Sequence, residues 1–292
     1  MASLAEWVEG ARPRTLPAAL SPVLAGSGVA WFAQGFSPLL AGLALVVSLS
    51  LQVGVNFAND YSDGIRGTDA VRVGPLRLVG SGAAEPRHVR DAAFACFGLA
   101  AIAGLVIVVL TAQWWLLAVG AAAIAAAWFY TGGPHPYGYL GLGELFVFVF
   151  FGLVAVTGTV YVQVGSVPAA AWWASLAIGS LACVILVANN LRDLDTDLAA
   201  GKRTLATRLG DAGTRRLFLA LAGLATLGVV GVAATSSRWA LLGLAMLPVL
   251  ARPLVAVARG VSGRDLIGVL RQVGLAELAC AAGLFVGLLV AG

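Results

Sequence analysis

Charged residues are scarce in this 292-residue chain, at 11% against 60% hydrophobic residues. A soluble globular domain carries about a quarter charged residues, so that class is excluded. With a mean hydropathy of +0.93, what remains is a polytopic membrane protein. Histidine is scarcer still: His88 and His135 are the two present, too few and too far apart for a histidine metal centre. The three cysteines, Cys96, Cys183 and Cys280, all lie in apolar runs without a CxxC pair. That excludes a disulfide framework or zinc site and leaves buried thiols acting as small apolar residues. No soluble basic segment exists to hold a duplex, so the net charge of +4 does not indicate nucleic-acid binding.

Long apolar runs are abundant. Hydropathy predicts nine spans at roughly 16–34, 38–58, 91–111, 114–131, 141–163, 169–190, 213–234, 238–257 and 270–290. The runs are too long for barrel strands, so the expected fold is all-α. It is one transmembrane domain, 1–292, of about nine helices around a central cavity with a cytoplasmic polar cap. The first run, following Arg12 and Arg14, reads as a transmembrane helix and not a cleaved signal peptide. Every lysine and arginine among the 18 except Arg238 falls at the N-terminus or after spans two, six and eight. The positive-inside rule therefore places the N-terminus and those loops in the cytoplasm. Span glycines such as Gly98, Gly104, Gly152, Gly158 and Gly179 suit close helix packing. Trp114, Trp115, Trp172, Trp173 and Trp239 read as anchors at the opposite interface.

Acids appear where spans end. Asn189-Asn190-Leu191-Arg192-Asp193-Leu194-Asp195-Thr196-Asp197 follows an apolar run and is followed by Gly201-Lys202-Arg203-Thr204. At helical spacing Asn189, Asp193 and Asp197 form one stripe, while Asp195 points elsewhere. A second cluster between spans two and three carries Asn56, Asp60 and Asp63 at i, i+4 and i+7, with Asp69 beyond. The device is thus built twice, at 56–69 and 189–204, in a pseudo-repeat. Ionisable groups there are costly and imply function. Oxygen stripes suit a hard divalent cation, and Arg66, Arg72, Arg77, Arg192 and Lys202 nearby suit an anion. Magnesium with a diphosphate fits both requirements. A third stretch, Tyr130 to Glu144, is rich in glycine, proline and tyrosine and reads as a substrate-lining wall. Glu144 has no assigned role at this level.

These motifs resemble the UbiA superfamily of intramembrane aromatic prenyltransferases, through Asn190 and Asp193-x-x-x-Asp197. Within it the chain is similar to the 1,4-dihydroxy-2-naphthoate polyprenyltransferases of menaquinone biosynthesis. That likeness rests on Ala11-Arg12-Pro13-Arg14-Thr15, Asn59-Asp60-Tyr61-Ser62-Asp63-Gly64, Arg72-x-Gly74-Pro75-x-Arg77, the Tyr130 to Glu144 loop and Gly201-Lys202-x-Thr204. Gly64 stands where many relatives carry a last acid, with Asp63 one place earlier. The resemblance implies two Mg2+ ions held by Asp60, Asp63, Asp193 and Asp197, with Asn56 and Asn189 or Asn190 assisting. Arg66, Arg192 and Lys202 would neutralise the diphosphate, Tyr130 and Tyr139 would line the substrate, and Arg72 or Arg77 would meet the acceptor's carboxylate. Implied too are a prenyl tail lying between spans, loss of the acceptor's carboxylate, demethylmenaquinone as product, and a plasma-membrane enzyme with its site facing the cytoplasm. No obligatory protein partner is evident.

The alternatives are another acceptor such as 4-hydroxybenzoate, haem or a phosphorylated sugar, a CDP-alcohol phosphotransferase, and, in a different class, a divalent-cation or proton-coupled transporter. A transporter places its acids near the midplane on broken helices, whereas these lie at span ends.

Overall fold

The computed structural model describes residues 2–67 and 76–292, all helix and connections, with no strand among them. A short helix, α1 (Leu4–Gly10), opens on a capping box in which Ser3 and Glu6 satisfy each other's backbone N–H groups. Its Trp7 packs edge-on against Phe57 at 5.5 Å. Then come α2 (Pro17–Phe32), α3 (Pro38–Ile65), α4 (Pro86–Thr111) and α5 (Leu116–Phe129). They are followed by α6 (Gly143–Val164), α7 (Ala169–Arg192), α8 (Leu194–Ala199), α9 (Leu205–Thr235), α10 (Arg238–Ala258) and α11 (Gly263–Ala291). Proline opens α2, α3 and α4, where its missing N–H has no helical partner to lose.

Among the described residues seven helices, α3, α4, α6, α7, α9, α10 and α11, are long and apolar enough to cross a membrane. The N-terminal segment Leu4–Thr15 and α2 make an eighth if read as one span bent by 49°. Helix α5 has 14 residues and reaches roughly 21 Å, short of a hydrocarbon core of about 30 Å. The nine expected spans thus become seven or eight by length. Pro13 and Pro17 break the first, and the fourth ends at the glycines and prolines after Tyr130.

Helix α7 is the axis of the bundle: 72% of its most apolar window is buried, more than in any other span. Its Ala174, Ala177, Ile178, Leu181 and Val184 pack in one core with side chains of α2, α6, α9, α10 and α11. A second, smaller core joins α3, α4 and the 78–79 turn through Phe57, Leu78, Val89 and Phe97, with Trp7 and Trp128 against it. Close approach depends on small residues. A Cβ on Gly152 would stand 2.8 Å from the Gly179 Cα and 2.9 Å from the Ser175 carbonyl oxygen. Helix α6 widens into π-helical turns from Phe148 to Thr157, just where it passes Gly179. Gly210, at φ 68° and ψ 178°, puts a kink into α9 that a side chain would strain. Trp114, Trp115, Trp172 and Trp239 are exposed as anchors should be, but Trp173 is covered by Gly231 of α9.

Gly152→Val should destabilise the protein by about 1–3 kcal/mol, because backbone meets it on two sides. Gly120→Ala, with open space around it, should leave thermal unfolding in detergent unchanged. Equal melting of the two variants would contradict this packing.

Candidate active site

Between the two cores lies an apolar chamber of about 560 Å³, walled by α3, α4, α5, α6 and α7 through residues such as Val47, Leu51, Gly104, Leu117, Gly120, Phe150 and Val154. At one end it meets a polar cavity of about 80 Å³ lined by Arg12, Asn59, Asp63, Arg77, Tyr130, Tyr139, Asn189, Asn190, Asp193, Asp197 and Lys202. Arg12, Asn59, Tyr130, Leu186 and Asn189 line both spaces and so mark the junction.

The second acidic cluster arrives much as its spacing predicts. Helix α7 ends at Arg192, and Asp193 leaves helical geometry at φ −94° and ψ 8°. The Asn189 to Asp193 and Asp193 to Asp197 backbone hydrogen bonds nevertheless persist, at 3.1 and 2.8 Å. Asn189, Asn190, Asp193 and Asp197 therefore all face the polar cavity across a bend. Asp195 is exposed and lies outside it.

The first cluster divides. Asp63 faces the cavity, accepts from the Tyr139 hydroxyl and pairs with Arg77 at 3.3 Å. Asp60 sits three residues away, about 60° around the helix axis, and is turned to the 76–79 segment. Its two oxygens accept the backbone N–H groups of Leu78 and Val79 at 2.7 and 3.0 Å. Asn56 likewise turns aside, donating to the Ala11 carbonyl oxygen and the Thr15 hydroxyl at 3.0 and 2.9 Å. The residue that joins Asp63 in the cavity is Asn59, four positions before it, and its Oδ1 accepts from the Thr131 hydroxyl at 2.7 Å. Sequence reasoning passed over Asn59 and Arg12. Helical spacing from Asp63 carried the signal for Asn59; Arg12, in a left-handed turn at φ 56°, stood in the Ala11 to Thr15 motif with no role attached to it.

The basic residues also separate. Lys202 lies 3.5 Å from Asp197 and 4.7 Å above the Tyr139 ring, inside the polar cavity. Arg192 forks onto Asp193 with two bonds of 2.7 Å and stands behind it, outside the cavity lining. Arg66, expected to hold phosphate, instead donates to the carbonyl oxygens of Thr131 and Gly133, bracing the 130–142 loop. Arg72 and Asp69 lie outside the described residues. The same loop is held from the other side, where the Arg203 N–H and the Arg208 guanidinium donate to the Tyr139 and Leu140 carbonyl oxygens at 3.1 and 2.8 Å. Burial, with the Glu144 carboxylate nearby, pushes the Tyr130 hydroxyl above its ordinary range. It stays a neutral donor at the junction.

Among the described residues no three histidine, cysteine, aspartate or glutamate side chains converge as a preformed metal site. The groups offered to a cation are carboxylate and amide oxygens, each carboxylate already opposed by arginine or lysine. That set fits magnesium, which binds through one or two carboxylates and completes its shell with phosphate and water.

An apolar chamber ending in a cavity of mixed acids and bases, inside a helical membrane bundle, defines a class of membrane proteins built to hold an amphiphile with an anionic head. Residues 19–266 match the UbiA prenyltransferase family, and the chain belongs to that family. It is 54% identical over 281 residues to the 1,4-dihydroxy-2-naphthoate octaprenyltransferase of Mycobacterium tuberculosis, covering 95% of this chain and 94% of the relative. The Escherichia coli protein of the same name is 36% identical, over 87% of this chain and 85% of its own. A UbiA homologue from Aeropyrum pernix shares the fold with a TM-score of 0.69 at 18% identity, over 94% and 97% of the two chains. One from Archaeoglobus fulgidus, solved with GPP and Mg2+, has a TM-score of 0.65 at 16% identity, over 97% and 99%.

Asp60→Ala should lower stability by about 2–4 kcal/mol, since one buried and one half-buried N–H group lose a charged acceptor. Asp197→Ala should lower the melting temperature less. The reverse order of melting temperatures would show that Asp60 is no anchor.

Proposed function

We propose that the chain transfers a polyprenyl group from a polyprenyl diphosphate to 1,4-dihydroxy-2-naphthoate. The observation that carries this reading is the junction, where a chamber suited to an isoprenoid opens onto a cavity suited to its diphosphate. Bond by bond, the allylic C–O bond to diphosphate breaks and a C–C bond to the electron-rich ring forms. The acceptor's carboxylate leaves as carbon dioxide, and the product is demethylmenaquinone, formed as its quinol. The naphthoate acceptor is inferred from relatives of that name, and decarboxylation and product belong to this proposal.

Asp63, Asp193 and Asp197 would hold the metal, with Asn59, Asn189 and Asn190 adding neutral oxygens. When bound, magnesium supplies charge neutralisation of the departing diphosphate. Two ions match the two helix ends from which the acids come. Lys202 lies where negative charge develops on the leaving group and opposes it without reorganisation. Arg192 and Arg77 keep Asp193 and Asp63 oriented. Tyr130 donates its proton-bearing hydroxyl at the junction. Arg12, lining both spaces, joins Arg72 and Arg77 as a group proposed to meet the acceptor's carboxylate. Asp60 and Asn56 are assigned to the scaffold instead of the metal. The clustering of basic residues around this end supports a site facing the cytoplasm, in the plasma membrane.

Purified protein with Mg2+, a polyprenyl diphosphate and the naphthoate should yield a prenylated quinol, and chelation by EDTA should abolish it. Product from 4-hydroxybenzoate alone would sink the acceptor assignment. Asp193→Ala should lose at least about 100-fold in kcat/KM; full activity in that variant would contradict the metal set. Gly104→Phe, filling the chamber, should shift donor preference towards shorter isoprenoids when diphosphates of graded length compete. An unchanged preference would remove the tail from this chamber.

A further inference from the structure

Glu144, in the first turn of α6, is buried and lies outside the lining of both cavities. Its Oε1 accepts a hydrogen bond of 2.9 Å from Asn190 Nδ2. Helix α7 also holds Glu144 from behind, through a Cys183 Sγ contact of 3.2 Å to its backbone oxygen. A carboxyl oxygen that bears no proton only accepts hydrogen bonds, so Glu144 Oε1 faces the NH2 end of the amide and not its oxygen end. Asn190 lines the polar cavity beside Asp193 and Asp197. Its Oδ1 accepts no hydrogen bond from any described residue.

We propose that Glu144 is a positioning residue: by holding the NH2 of Asn190, it fixes the amide so that Oδ1 faces the cavity as a third oxygen for a metal diphosphate, next to Asp193 and Asp197. The two ends of an asparagine amide have nearly the same shape and opposite polarity. Turned over, Asn190 would present two N–H donors to the space where a cation sits, and a metal ligand would become a repulsive group. Among the described residues, no contact of Asn190 other than the one to Glu144 selects one end. Glutamine at 144 can accept the same bond through its side-chain oxygen, whereas leucine fills the space and accepts nothing. This inference rests on the diphosphate reading of the polar cavity.

The test is binding of magnesium pyrophosphate to the purified full-length protein, followed by calorimetry and by ligand-induced thermal shift. Kinetics are measured alongside with a prenyl diphosphate. Glu144→Leu should weaken magnesium pyrophosphate about tenfold and raise the KM for prenyl diphosphate by a similar factor, with a smaller change in kcat. Glu144→Gln should bind within about threefold of wild type. Asn190→Ala should reproduce the loss, and the double variant Glu144→Leu with Asn190→Ala should lose no more than either alone. Wild-type binding in Glu144→Leu, a Glu144→Gln variant as weak as Glu144→Leu, or additive losses would each overturn the proposal. Wild-type protein that binds magnesium pyrophosphate but transfers no prenyl group would sink the functional reading and leave Glu144 in its role. Failure of wild type to bind it at all would remove the diphosphate site itself.

Discussion

Buried carboxylates at the ends of apolar helices need partners, and the polar end of this molecule is organised by that need. An ionised carboxylate taken out of water without compensation costs several kcal/mol. Asp63 is met by Arg77 and Tyr139, Asp193 by Arg192, and Asp197 by Lys202. Asp60 is met by two backbone N–H groups. The partners of Asp60 and Asp63 come from segments that fold back to supply them, so at this cluster compensating the charge also builds walls of the cavity. Arg192 and Lys202, by contrast, lie close to their acids in the chain.

The 130–142 loop is the clearest case. Thr131 reaches Asn59 and Tyr139 reaches Asp63 on the α3 side, while the Tyr139 and Leu140 carbonyl oxygens are held by Arg203 and Arg208 on the other. Arg66 fastens the loop's start through Thr131 and Gly133. Glycine and proline keep the loop from continuing as helix, and the freed backbone groups are satisfied by these side chains instead of lipid. One loop thereby joins the two acidic clusters into one site.

Away from that end, packing follows the rules of lipid. Small residues at Gly152, Gly179 and Gly228 bring helix backbones together around α7. Opposite, α3, α4 and α5 form their own core and stand off from α6 and α7, leaving the chamber. The two spaces together run from hydrocarbon to charge, with Arg12, Asn59, Tyr130 and Asn189 at the crossing point.

Composition and run length by themselves determined an all-helical membrane bundle, since scarce charge and long apolar runs admit few other folds. Spacing also anticipated that Asn189, Asp193 and Asp197 would line one cavity, because backbone bonds carry the helical stripe across the bend at Asp193. The span count was less legible: prolines and glycines divide or shorten helices by amounts that hydropathy does not register. Which face of α3 meets the cavity was decided by tertiary structure alone. Asn56, Asp60 and Asp63 share a stripe in sequence, but about 60° of helix separates an acid that caps a loop from one that faces the site. The arginines divided for the same reason. Residues of one charge at one end of a bundle look equivalent along the chain, and only the folded positions of Thr131, Gly133 and Asp193 decide that Arg66 and Arg192 support the site from outside its lining while Lys202 and Arg12 face into it.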